Sequence, residues 1–330
     1  PPPDRFLLDS FFPTVFNSPK EEIALDDIAD DREIAAYVSP LVVAPAQKSA
    51  PMQVSTYKAP SVIEKKAIPP ETMTTRRPGE AFDMPMSPQA RVQDWIQEWS
   101  AKLRNRIVRR EIQQASEILV DGKVTVEGEN HPPMTIDYAR HADLSITLAG
   151  GNVWNGSTVN PFTALKQAAE AGADHGLGAV LKTVVMDSKA WDLFSSSDEV
   201  RDLLKLIRVQ QAGINIDPNV TGRKVDDKGE IGGFRIFVYN DAYKDKAGNK
   251  VKFIPDNTVI MLDPAVFAGC RAFGMVPLTD EVTGAYVPVS EEFVPDYLVQ
   301  KEPVGIFYRL QSRPLMVPVT VNASARITVA

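Results

Sequence analysis

The run SPQARVQDWIQEWSAKLRNRIVRREIQQASEILVDG, residues 87–122, organises the chain on either side of it. Ser87 has the side chain of an N-cap, Pro88 suits the first helical position and Asp121-Gly122 supplies a stop, so the spacing predicts a helix over 88–119. At about 1.5 Å per residue such a helix spans roughly 48 Å, well beyond the usual three turns. Its apolar stripe changes side. At about 100° per residue, Val92, Trp95, Ile96, Trp99, Leu103 and Ile107 share one face, while Val108, Ile112, Ala115 and Leu119 lie nearly opposite. Arg106, Arg109 and Arg110 take over the direction the first stripe had used. The helix is therefore expected to be a strut that packs on different elements at its two ends. Its basic stripe is expected to be solvated or ion-paired, with Glu111 and Glu117 as available partners.

Upstream of the helix the chain is rich in proline: 14 of the 26 prolines fall in residues 1–88. Proline fixes φ and removes a donor, which disfavours long helices and central strands there. The segment is not polar enough for disorder, because Phe11, Phe12, Val15, Phe16 and Leu41 to Val43 must be buried against something. Charge splits it in two. Residues 1–34 carry nine acidic and three basic side chains, net −6, and residues 35–78 carry six basic and two acidic, net +4. The two extended arms are electrostatically complementary. Exposed pairs contribute only about 0–1 kcal/mol each, so complementarity of this kind sets register and partner choice more than stability.

Downstream, Lys123–Glu127 and Met134–Tyr138 alternate as two strands joined by a loop through Asn130, Pro132 and Pro133. Pro161–Ala171 reads as a helix ended by Gly172, Leu177–Met186 as a buried strand, and Ser188–Phe194 and Asp198–Val209 as helices. Phe234–Tyr239 and Val251–Ile254 are expected to pair around a Lys-Asp-Lys-Ala-Gly-Asn turn, followed by a strand over Thr258–Leu262. The tail alternates over Gly305–Leu310 and Leu315–Val329. Together these elements predict an α+β fold with no internal repeat.

The chain has 330 residues, 44% hydrophobic and 24% charged, with net charge −7. That composition is ordinary for a folded protein of two or three domains. No apolar run reaches the roughly 18–20 residues of a membrane helix, and the N-terminus shows no signal-like pattern. Cys270 is the single cysteine, which excludes an intramolecular disulfide and a cysteine zinc site; it reads as a small buried hydrophobe. The net charge argues against a dedicated nucleic-acid binder and leaves only weak, salt-sensitive contact with DNA.

No catalytic constellation stands out. Walker, Gly-x-Ser-x-Gly and Gly-x-Gly-x-x-Gly patterns are missing. Gly172, Gly176 and Gly178 precede a strand, the wrong order for a phosphate loop. Asp226, Asp227 and Glu230 around Gly229 lack calcium-loop spacing and read as a solvated turn. His131, His141 and His175 lack the spacing of a helical metal pair and read as unrelated, with His131, Asp137 and His141 as the one cluster worth inspection. The chain is expected to be neither an enzyme nor dependent on a cofactor or metal. A hydrolase with a scattered active site is the alternative from another class.

Extended charged arms, a strut helix and no active site describe a lattice subunit. Six stretches, in order, then carry a resemblance: Ala36-Tyr37-Val38-Ser39-Pro40; Thr75-Arg76-Arg77-Pro78-Gly79-Glu80; Leu119 to Glu129 (LVDGKVTVEGE); Met186 to Phe194 (MDSKAWDLF); Phe253-Ile254-Pro255-Asp256-Asn257-Thr258; and Gln311-Ser312-Arg313-Pro314-Leu315-Met316. Over about residues 11–330 the chain resembles the lambda-type major capsid proteins of tailed phages, the capsid protein E family. The resemblance implies the Hong Kong 97-type fold. In that scheme residues 1–35 are an N-arm, 36–87 an E-loop, and 88–175 a P-domain whose spine helix is 88–119. Residues 176–299 are then an A-domain, and 300–330 return as P-domain strands.

It further implies pentamers and hexamers of this chain closing into an icosahedral shell around double-stranded DNA, assembled in the host cytoplasm and resident in the virion. Expected partners are a scaffolding protein, since only 87 residues precede the helix, and a portal, with the presence of a decoration protein left open. An encapsulin-like compartment is the alternative with the same fold. The subunit-interface residues expected on this basis are Tyr37, Pro40, Lys65, Lys66, Arg76, Arg77, Glu80, Arg106, Arg109 and Arg110. For Arg76 and Arg77 a capping role at the loop base within one subunit carries equal weight. No motif supports a lysine–asparagine crosslink at Lys65 or Lys66.

Overall fold

The computed structural model describes residues 2–27, 53–76, 80, 86–128, 131–155, 159–210, 224–245, 247–279, 285–300 and 305–330. Tyr37, Pro40 and Arg77 lie outside the described residues, as does the whole Ala36–Pro40 stretch. Six helices are described: α1 (Phe6–Phe11), α2 (Pro88–Asp121), α3 (Pro161–His175), α4 (Ser188–Ser196), α5 (Asp198–Gln210) and α6 (Pro264–Phe267).

Helix α2 is the predicted strut, two residues longer than expected. Ser87 Oγ accepts from the Ala90 N–H at 3.2 Å, satisfying one of the orphan donors of the first turn. At the other end Gly122 adopts φ 70°, a left-handed cap that suits glycine. The Arg140 guanidinium donates to the carbonyls of Leu119, at 2.9 Å, and Val120, supplying both hydrogen bonds and a cation at the helix C-terminus.

The change of stripe is real. The first face packs on a three-stranded antiparallel sheet of Val294–Gln300, Gly305–Ser312 and Val62–Ile68: Trp95, Leu103 and Ile107 meet Ile68, Tyr308 and Leu310 there, flanked by Trp99. The second face, Val108, Ile112, Ala115 and Leu119, enters the main core. Helix α1 also reaches that core, where Leu7, Leu8, Phe11 and Phe12 are buried; Val15 and Phe16, expected to be buried with them, are instead exposed on the strand Thr14–Asn17, and Leu41 to Val43 lie outside the described residues.

The main core is built on a mixed six-stranded sheet in the order Ser145–Thr147, Ser324–Thr328, Thr258–Leu262, Thr183–Met186, Phe234–Tyr239, Val225–Ile231. Helices α4 and α5 lie in the crossover between the parallel strands Thr183–Met186 and Phe234–Tyr239. One sheet therefore takes strands from both sides of positions 175/176 and 299/300.

Four sequence expectations are corrected. Val251–Ile254 does not pair with Phe234–Tyr239: Lys250–Lys252 pairs with Ala242–Lys244, and Phe234–Tyr239 pairs with Val225–Ile231. Alternation marks a strand but carries no record of its partner. Residues 177–182 are not strand, because Leu177 (φ 56°) and Gly178 (φ 78°) turn the chain through the left-handed region. The acidic run 226–230 is not a turn but part of a strand with a bulge opposite Ile236/Phe237. Cys270 is half-exposed on the strand Cys270–Phe273, its thiol pushed up by partial burial.

Candidate functional site

The charged arms meet first. Glu22–Asp27 and Gln53–Lys58 form an antiparallel ribbon in which Glu22 is opposite Lys58, so the acidic and basic halves of the N-terminal quarter pair within one chain. Glu21 anchors the base of this ribbon, 3.1 Å from Lys58 and 2.9 Å from Arg313. The Arg313 and Lys58 hydrogen bonds hold the Glu21 carboxyl below its ordinary range.

The described family stretches land on clasps of the same kind. Gln114, on the buried face of α2, donates to the Pro314 carbonyl at 3.2 Å and accepts from the Met316 N–H at 3.3 Å; Tyr138 adds a 2.7 Å bond to the Met316 carbonyl. Asp187 is fully buried. It caps α4 through the Lys189 and Ala190 N–H groups and also accepts from the Thr258 N–H at 3.3 Å. Lys189 and Lys252 both reach Asp256, at 2.6 and 2.5 Å. The Met186–Phe194 and Phe253–Thr258 stretches, 60 to 70 residues apart, are thereby two sides of one joint in the central sheet. Glu80 is buried against the first turns of α2, with Arg91 Nη2 2.7 Å and Nε 3.1 Å from its oxygens and the Met86 N–H at 2.7 Å. Motif residues here hold backbone segments together rather than lining a reaction pocket.

The expected interface residues separate into three groups. On Val62–Ile68 successive side chains face opposite sides: the Lys65 ammonium sits 3.9 Å over the Phe307 ring, and that of Lys66 4.3 Å over Trp99. Arg76 is exposed and donates to the Glu80 carbonyl, an intrachain contact at the loop base. Arg106 pairs with Glu64 at 2.9 Å and Arg110 bonds Gln113 at 2.8 Å, while Arg109 lies half-buried beside them. These three arginines line an open cleft of about 1060 Å³ between α2 and the 242–252 hairpin, where Glu64, Glu117, Glu127, Asp241 and Asp245 balance them together with Lys224 and Lys244. The cleft has no dominant sign of charge to favour a polyanion.

Glu111 and Glu117 do not serve the basic stripe as expected. Glu117 accepts from the Thr125 N–H at 3.0 Å and from the Gln113 amide, and burial raises its pKa. Glu111 points into the main core, fully buried, and neither oxygen has a hydrogen-bond partner among the described residues. Burial, with Glu292 adding to it, pushes its carboxyl up to about 8, against the opposing pull of Arg5 and Arg271. The sequence offered no sign of this, because an acid within a run of arginines reads as their partner.

The histidines are also regrouped. Asp137 accepts from the Ala139 N–H at 2.8 Å and is not joined to His141. His141 instead stacks on His175 with ring centroids 3.7 Å apart, and Asp143 lies between their nitrogens. The two rings come from the turn before Ser145–Thr147 and from the C-terminal residue of α3, 34 positions apart.

A long helix that joins a central mixed sheet to a projecting three-stranded sheet, with an extended N-terminal ribbon, is the Hong Kong 97-type capsid fold. The whole chain aligns with 93% of a protein described as the prophage capsid protein of Escherichia coli CFT073, at TM-score 0.72 and 21% identity, and 96% of it aligns with 84% of the subunit of the mature bacteriophage PhiM1 capsid, at TM-score 0.50 and 10% identity. Sequence comparison narrows the class. The model of the phage major capsid protein E family matches residues 1–329, and the chain belongs to that family. It is 28% identical to the major capsid protein of Escherichia phage lambda over 316 residues, 95% of this chain and 90% of that one, and 27% identical to that of Enterobacteria phage phi80 over 313. The chain is a major capsid protein, a structural component of the virion. Among the described residues no helix is long and apolar enough to cross a membrane.

Proposed function

We propose that the chain forms the pentamers and hexamers of an icosahedral head around double-stranded DNA, assembled in the host cytoplasm with a scaffolding protein and a portal. In this reading residues 1–35 act as N-arm, 36–87 as E-loop, 88–175 and 300–330 as P-domain and 176–299 as A-domain, and the protein catalyses nothing. Heterologous contacts close the rings, and arms join one ring to the next. Each contact can be modest, because engagement of one neighbour raises the effective concentration for the next.

The observation that carries this reading is the projecting sheet. Its face toward α2 continues past the helix, where Tyr297, Val299 and Ile306 are 44, 65 and 39% exposed. Val299 is opposite Ile306, and Ile306 opposite Ile68, so these apolar side chains share the face that packs on the helix elsewhere. Among the described residues both outer strands are also open edges. An apolar, open-edged extension is a hazard for a monomer and a contact surface for a lattice subunit. Lys65 and Lys66 lie on this sheet and Arg106, Arg109 and Arg110 line the cleft, and with Arg76 and Glu80 at the loop base, and with Tyr37, Pro40 and Arg77, they form the proposed subunit interface. Sedimentation velocity and electron microscopy of the protein, alone and co-expressed with its scaffolding partner, test the proposal. Rings or shells in either preparation support it, and a monodisperse monomer in both contradicts it.

A further inference from the structure

His141, Asp143 and His175 offer ligand atoms that all lie within 4.8 Å of one another. The details of the approach are informative. His141 Nδ1 and His175 Nε2 converge on the same carboxylate oxygen, Asp143 Oδ2, at 3.5 and 3.2 Å. Charge-assisted hydrogen bonds between such groups close to about 2.7–2.9 Å, so neither contact is a tight ion pair. Ligands of a tetrahedral metal about 2.0–2.1 Å from each donor stand roughly 3.3 Å apart. These distances match two edges of that polyhedron, and the third, between the two histidine nitrogens, is within 4.8 Å.

The surroundings hold the donors: His141 Nδ1 accepts from the Asp143 N–H at 3.3 Å, a bond that a metal on this nitrogen replaces. His141 is fixed through its backbone, whose N–H donates to Asn322 Oδ1 at 2.9 Å, and His175 is fixed as the last residue of α3. Gly176, which follows, lies so close to the Asn322 carbonyl that a Cβ would stand 2.5 Å from it, so the end of α3 packs directly on the segment that also holds His141. The rings are stacked 15° from parallel, so metal binding requires them to unstack by rotation about χ2, a broad torsion in histidine, until both lone pairs meet at one point. All three side chains are a third or more exposed, and a shallow pocket of about 490 Å³ beside them, lined in part by Glu170 and Asp174, gives an ion a way in.

We propose that His141, Asp143 and His175 bind a divalent first-row transition metal, zinc best among those that need no redox partner, with a fourth position left to water. Two imidazoles and one carboxylate suit zinc and its neighbours in the series and disfavour magnesium and calcium, which take oxygen ligands. The ion would tie the 139–147 turn to the end of α3 and so fix one corner of the central sheet.

Titration of the metal-stripped full-length protein with Zn2+, followed by calorimetry, and with Co2+, followed by its visible d–d absorption, tests this. The expected result is about one equivalent of metal per chain and a tetrahedral Co2+ band, with affinity reduced by more than about tenfold in Asp143→Asn and in His175→Gln, since even loss of a hydrogen bond that orients a ligand costs about 10–100-fold. Wild-type binding no tighter than that of the His141→Gln/His175→Gln double variant overturns the proposal. If the variants fail to fold, a wild-type Co2+ spectrum identical to that of the aqueous ion overturns it as well.

Discussion

The two halves of α2 are bound in different ways. Residues 108–121 lie inside the main core, with Ile112, Ala115, Ile118 and Leu119 fully buried and Gln114 bonded to the backbone of Pro314 and Met316. Residues 88–107 bury only Trp95, Leu103 and Ile107, against a sheet whose apolar face runs on into solvent. One half is complete within the chain. The other ends on a surface that a second molecule can finish. A lattice subunit needs both: a core stable enough to persist alone, and a projecting element whose burial is deferred until neighbours arrive.

Substitutions can break this contrast. Ile112→Ala should cost about 2–5 kcal/mol in denaturant unfolding, because the deleted atoms leave a cavity in a closed core. An effect below about 1 kcal/mol would mean that the core is not as tight as the contrast requires. Glu111 supplies a second test. The folded chain keeps its proton up to about pH 8, whereas the unfolded chain releases it near 4.5. Its contribution is therefore fully present below about pH 4.5 and is lost as pH rises towards 8, with a slope of at most about 1.4 kcal/mol per pH unit. Glu111→Gln should flatten the pH profile of stability over that window, and an unchanged profile would count against a buried, unpaired carboxyl.

The smallest expected effect on stability lies at the other half. Val299→Ser with Ile306→Ser should change unfolding free energy by no more than about 0.5 kcal/mol, because both side chains are already exposed. The same double variant should lose shell assembly in the electron microscope. Normal shells would remove the projecting sheet from the interface.

Much of this contrast was legible in the sequence. The switch of apolar stripe between Ile107 and Val108 is a consequence of helical period alone, and the capping residues Ser87 and Gly122 marked the ends. The complementary charge of the two arms anticipated the Glu22–Lys58 ribbon. Partners were not legible. Nothing in the alternation of Val251–Ile254 says that Lys250–Lys252 folds back on Ala242–Lys244, and the apolar run 177–182 gives no sign that Leu177 and Gly178 turn left-handed. His141 and His175 meet only because α3 returns its last residue to the turn before Ser145, a tertiary fact with no local signature. The fate of Glu111 depends on which side of α2 faces α1, and a basic neighbourhood in sequence concealed it.

Hydrogen exchange of the free subunit and of assembled shells tests the central contrast most directly. Assembly should raise protection over 62–68, 294–300 and 305–312 and along the first turns of α2, while residues 108–121 exchange equally slowly in both states. Equal protection of the projecting sheet in free and assembled protein would contradict the contrast.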